Sequence, residues 1–107
     1  MRWAAKRDAN DGIIGEALRA AGFTVHDFAA AGGGIPDRLV TRALPDKMPW
    51  ICWVEIKTAK GRLRPGQQEF RAVFEPRGEF YVARDPEQTV RELMERYTAA
   101  IRPELAR

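Results

Sequence analysis

Three side chains in this chain have the types and spacing for hydrolytic chemistry: Asp37, Glu55 and Lys57. Glu55 and Lys57 end the stretch Trp50-Ile51-Cys52-Trp53-Val54-Glu55-Ile56-Lys57, which is rich in aromatic and β-branched residues and is predicted to be a strand. Side chains alternate across a sheet, so Ile51, Trp53, Glu55 and Lys57 share one face, with Cys52, Val54 and Ile56 on the other. An acid and an ammonium thus project together from an otherwise apolar strand, and burying either one alone is expensive. Asp37 follows Gly32-Gly33-Gly34-Ile35-Pro36 and opens a second short strand, Arg38-Leu39-Val40-Thr41. If the two strands pair as a hairpin, Asp37 comes beside Glu55.

Two carboxylates one strand spacing apart repel each other unless a cation sits between them. Oxygen-only ligands favour Mg²⁺ or Mn²⁺, which keep several waters that a substrate phosphate displaces. Lys57 on the same face would position or deprotonate a metal-bound water and stabilise developing charge. Directly downstream, Lys57-Thr58-Ala59-Lys60-Gly61-Arg62-Leu63-Arg64 holds four positive charges and no acid, a segment suited to gripping a phosphate chain through Lys60, Arg62 and Arg64. Phosphodiester hydrolysis needs this combination. The plainer alternative is a solvent-exposed Glu55–Lys57 pair, with Asp37 capping a turn and the basic segment a solvated loop.

The elements that must position these groups follow from periodicity. Ile13, Ile14, Ala17, Leu18 and Ala21 fall at helical spacing from about Asp8 to Ala21, and Gly22 stops that helix. The alternating stretch Phe23–Phe28 reads as a short strand, and residues 44–49 as a turn. Pro65 opens a helix through Phe74, which Pro76-Arg77-Gly78 ends. Phe80–Ala83 is a strand, and from the cap Asp85 the residues Val90, Leu93, Met94, Tyr97 and Ile101 mark a last amphipathic helix. The expected fold is α/β, helices flanking a mixed sheet in the order α-β-β-β-α-β-α.

Composition narrows the setting. The chain has 107 residues, 45% hydrophobic and 31% charged, which suits one globular domain and excludes a disordered or collagen-like chain. No apolar run approaches the roughly 20 residues of a membrane helix, and no apolar leader segment is evident, so a cytoplasmic, reducing setting is expected. The lone Cys52 forms no internal disulfide and supplies no zinc cluster. Net charge is +3, and residues 1–64 carry the excess, with 11 basic and 7 acidic side chains. Fourteen of the 18 basic residues are Arg, whose planar fork suits phosphate.

The ordered set of motifs resembles a known family. Asp8-Ala9-Asn10, Leu18-Arg19-Ala20-Ala21-Gly22, Gly32-Gly33-Gly34-Ile35-Pro36-Asp37, Val54-Glu55-Ile56-Lys57 and Leu63-Arg64-Pro65-Gly66-Gln67 together resemble the short stand-alone form of the VRR-NUC (virus-type replication-repair nuclease) domains. These belong to the PD-(D/E)xK nuclease superfamily. The resemblance implies a restriction-endonuclease-like, three-layer core with a central mixed sheet. It further implies a metal held by Asp37, Glu55 and the backbone carbonyl of Ile56, with Lys57 as catalytic lysine and Gln67 as the helix glutamine that supports the site. The expected substrate is structured or branched DNA, including four-way junctions, cut by a homodimer. A nucleic-acid-binding module that cleaves nothing, and a nuclease acting on RNA, are the competing expectations.

A further metal ligand on the first helix is expected at Asp11 rather than Glu16, since Asp11 lies at the edge of the apolar stripe and Glu16 almost opposite. The alternative is that Asp11 is simply a first-turn acid favoured by the helix dipole, with neither residue serving the metal. Arg38, next to Asp37, should point away from it. Lys6 and Arg7, with Trp3, form a basic N-terminal arm suited to DNA. His26 reads as a surface or sheet-edge residue, Trp50 and Trp53 as core or interface, and Cys52 as a small buried hydrophobe. The Val90–Ile101 stripe is expected to be core or a dimer seam.

Overall fold

The computed structural model describes residues 9–102, and the arm with Trp3, Lys6 and Arg7 lies outside them. Helix α1 covers Ala9–Ala20, and strands β1, β2 and β3 cover Thr24–Asp27, Arg38–Ala43 and Pro49–Ile56. Helix α2, Pro65–Phe74, tightens into a 3₁₀ turn over Glu75–Arg77, before β4 at Phe80–Ala83 and α3 at Pro86–Ile101. Breakers act where the sequence places them. Gly22 and Gly78 take φ of +100° and +72° after α1 and the 3₁₀ turn, and Asp85 accepts from Gln88 N at 2.7 Å to cap α3.

The four strands form one mixed sheet in the order β1-β2-β3-β4. The first three are antiparallel neighbours, and Arg38 stands opposite Val54 in the β2–β3 register. β4 runs parallel to β3, with Ile56 opposite Ala83. Strand alternation then assigns the faces. Trp50, Cys52, Val54 and Ile56 are buried with Ile14 and Leu18 of α1 and Leu93 and Tyr97 of α3. Each such fully buried aliphatic side chain contributes about 1.5–3 kcal/mol. On the opposite face Trp53 meets Phe70 and Phe74 of α2 at centroid distances of 5.2 and 6.2 Å, and Phe28 at 5.5 Å. The expected readings of Trp50, Trp53, Cys52 and the α3 stripe agree with this arrangement.

The first helix differs from its wheel. Ile13, expected in the apolar stripe, is 55% exposed, whereas Asp11, Ile14, Gly15 and Leu18 are buried. The buried line is rotated toward Asp11 because an arginine from the sheet reaches that carboxylate. Among the described residues no helix is long and apolar enough to cross a membrane.

Candidate active site at the Asp37–Glu55 edge

The β2–β3 hairpin brings Asp37 to Glu55. The Asp37 amide donates to Glu55 Oε1 at 3.3 Å, and Asp37 Oδ2 accepts from the Ile56 amide at 3.0 Å. A strand residue aims its N–H and C=O at the same neighbour, so the Ile56 carbonyl lies on the Asp37 edge as well. Glu55 is 3% exposed. Its Oε2 accepts from Gln67 Nε2 at 2.9 Å and lies 3.3 Å from Lys57 Nζ. The four side chains expected to act together therefore form one cluster.

Local sequence explains why α2 reaches this edge. Gly32, Gly33 and Gly34 all have positive φ, a run that only glycine adopts readily. The turn they make passes against the start of α2, where a Cβ on Gly34 would stand 2.7 Å from the Gly66 carbonyl oxygen. That contact sets the helix start beside β3. Gln67, buried at 4% exposure, then reaches Glu55 with its amide nitrogen while its Oε1 accepts from Arg64 N at 2.8 Å. One side chain caps the helix and holds the acid.

Burial pushes the Glu55 carboxyl above its ordinary value, and the Asp37 charge pushes it further, while Lys57 opposes both. A cation beside the pair would relieve the first two penalties. Donor chemistry fits such an ion. Asp37 Oδ1 accepts no hydrogen bond among the described residues, Glu55 Oε1 has only the long contact from Asp37 N, and all donors are hard oxygens. Among the described residues no group of three or more His, Cys, Asp or Glu side chains gathers to hold a metal, so the protein ligands would be two carboxylates and a carbonyl, with waters completing the shell.

The structure pairs Asp11 with an arginine of β2. Its Oδ1 accepts from Arg38 at 2.6 Å, and the same guanidinium reaches Asp27 Oδ1 at 2.9 Å and the Asp37 carbonyl at 2.9 Å. Arg38 forms its ion pairs with Asp11 and Asp27 and grips the backbone of Asp37, a link the sequence reading did not contain. Glu16 is exposed and lies 3.7 Å from Arg19. Lys60, Arg62 and Arg64 are all exposed on the segment between β3 and α2. His26 is exposed on β1 with Nε2 3.1 Å from Thr41 Oγ1, as a sheet-edge residue.

Two residues at this edge escaped a site assignment from sequence, Asn10 and Arg84. Asn10 Nδ2 donates to the carbonyls of Lys57 and Arg84 at 3.1 Å each, and the Arg84 guanidinium donates to Thr58 O and Gly61 O. The signal for Arg84 was its place one residue beyond β4, as Lys57 lies one beyond β3; only the parallel pairing makes those positions neighbours. Compared with known proteins, the chain matches no family model, no curated protein and no solved structure. It is an α/β protein with a four-stranded mixed sheet and a buried acid–lysine–glutamine cluster at one sheet edge.

Proposed function

We propose that the chain is a divalent-metal-dependent endodeoxyribonuclease that hydrolyses phosphodiester bonds in structured or branched DNA. Its fold would be the three-layer, restriction-endonuclease-like core of the VRR-NUC domains, and it would act as a homodimer, whose two-fold symmetry suits a junction with paired scissile strands. The observation that carries the reading is the convergence on Glu55 of the Asp37 amide, the Gln67 amide and the Lys57 ammonium. Asp37, Glu55 and the Ile56 carbonyl would hold Mg²⁺ or Mn²⁺, which supplies Lewis-acid stabilisation and an activated water. Lys57 would orient that water or take its proton and offset charge developing on the phosphate. Gln67 fixes the Glu55 carboxylate, and Lys60, Arg62 and Arg64 would hold the strand beside the scissile bond.

The test is a cleavage panel of end-labelled single-stranded, duplex, flap and four-way-junction DNA, with matched RNA, in Mg²⁺ or Mn²⁺. Metal-dependent cutting, strongest on branched DNA and lost in Glu55→Ala and Lys57→Ala, is the expected result. Wild-type rates in either variant would sink the assignment. Binding without cleavage in both metals would make the chain a nucleic-acid-binding module, and preferential cutting of RNA would move the substrate.

A further inference from the structure

The segment that joins β3 to α2 has little backbone bonding of its own. Within 58–62, among the described residues, the one backbone hydrogen bond runs from Gly61 N to Thr58 O at 3.2 Å. Its shape is held from outside by Arg84. Because β3 and β4 are parallel, with Ile56 opposite Ala83, the residues after each strand leave the sheet side by side. One Arg84 guanidinium nitrogen then donates to Thr58 O at 2.6 Å and to Gly61 O at 2.8 Å. Charge-assisted bonds of this kind are about twice as strong as neutral ones, and a guanidinium keeps its charge at every working pH. Asn10 ties the two strand ends together through the carbonyls of Lys57 and Arg84.

The segment so held folds back over Lys57. A Cβ on Gly61 would stand 3.3 Å from Lys57 Cβ and Cδ, so a glycine there lets the chain close onto the aliphatic stem. The Lys57 side chain is only 17% exposed as a result, and its ammonium sits 3.3 Å from Glu55 Oε2. Contact is continuous from the Arg84 guanidinium through two carbonyls and the folded segment to the lysine stem.

We infer that Arg84 is a positioning residue for Lys57, fixing the 58–61 turn over its stem so that the ammonium is held at the metal-binding acid; this rests on the nuclease reading above. A direct grip on substrate phosphate is the competing role, and kinetics separate the two. If Arg84 positions Lys57, Arg84→Ala lowers kcat about 10- to 100-fold, as a small misplacement of a catalytic group does, with a smaller rise in KM, because Lys60 rides on the same turn. Arg84→Lys, whose ammonium still reaches a carbonyl, restores part of kcat. Arg77→Ala, at the opposite end of β4 where Arg77 pairs with Glu79, serves as the control and leaves kcat unchanged.

A second readout needs no activity. Amine acetylation followed by mass spectrometry should modify Lys57 slowly in the wild type and several-fold faster in Arg84→Ala, with exposed Lys47 on the distant β2–β3 turn as the internal reference. A loss confined to KM with a shallower salt dependence, or unchanged Lys57 labelling in Arg84→Ala, would overturn the inference. Should the wild type cut nothing, the nuclease reading fails by itself, and the labelling still decides whether Arg84 governs Lys57.

Discussion

Gln67→Leu keeps the side-chain volume nearly constant and removes the amide whose nitrogen joins α2 to the acid pair and whose oxygen caps the helix. In the wild type Nε2 donates to Glu55 Oε2 at 2.9 Å and Oε1 accepts from Arg64 N at 2.8 Å, with Gln67 4% exposed. A hydrogen bond to a charged group is worth about 1.5–3 kcal/mol, and a helix N-terminal acceptor about 1 kcal/mol. The buried leucine offsets about 1 kcal/mol of this by its greater hydrophobicity. The net loss should be about 2 kcal/mol, or a fall in Tm of about 8–16 °C for a domain of this size. The pH dependence is equally specific. Burial and Asp37 already hold the Glu55 carboxyl above its ordinary value, and losing a donor to its charged form raises it further. The stability gap should widen as pH rises through the carboxylate range and be smallest where Glu55 is protonated in both proteins. Urea unfolding followed by circular dichroism at several pH values measures it. A gap below about 0.5 kcal/mol at pH 8, the scale of ordinary surface substitutions, or one that narrows with rising pH, would refute the reasoning.

Three other outcomes are expected. Glu55→Gln keeps an acceptor for Gln67 but removes a charge that burial and Asp37 disfavour. In the wild type the native state holds that proton above the unfolded value of 4.5, so its contribution is full below that pH and is lost as pH rises through the raised folded value. The variant should match or exceed the wild-type Tm at pH 8 without metal, yet lose the stabilisation of about 2.7 kcal/mol that Mg²⁺ at 100 times Kd gives one site; thermal scans with and without Mg²⁺ check both. Burial pushes the Cys52 thiol up to about 12, against the lowering effect of Arg96, so it should resist Ellman's reagent at pH 8 until the protein unfolds. Its contribution to stability is complete below pH 9 and lost as pH rises toward 12. Gly34→Ala combines a φ of +87° with a Cβ 2.7 Å from Gly66 O, whereas Gly33→Ala has a φ of +65° and open space. The left-handed backbone costs either variant about 1–2 kcal/mol, so Gly34→Ala should be the less stable in urea unfolding by the cost of the clash.

Much of this edge was legible because its logic is local. Alternation along residues 50–57 separates Trp53 and Glu55 from Cys52 and Val54 without knowledge of any partner, and a glycine run before Pro36-Asp37 announces a turn returning to the next strand. Pro65 announces the helix start that carries Gln67. What stayed hidden depends on geometry between distant segments. The Asp11–Arg38–Asp27 contacts join α1, β2 and β1, and no spacing rule links positions 11, 27 and 38. Ile13 looked like core because a helical wheel cannot say that an arginine will draw Asp11 inward. The place of Arg84 one residue beyond β4 carries meaning only once β4 is known to lie parallel to β3.

All of the candidate chemistry lies where β2 begins and where β3 and β4 end. The opposite rim of the sheet holds the β2–β3 turn, where Leu44 N donates to Met48 O at 2.9 Å, Lys47 takes a φ of +72°, and residues 45–49 are exposed. Exposed turns of this kind are where inserted sequence is best tolerated. The molecule is thus polar in an engineering sense: a reporter or a second domain grafted between Asp46 and Lys47 would ride on the far rim, leaving the hairpin register that joins Asp37 to Glu55 as it is.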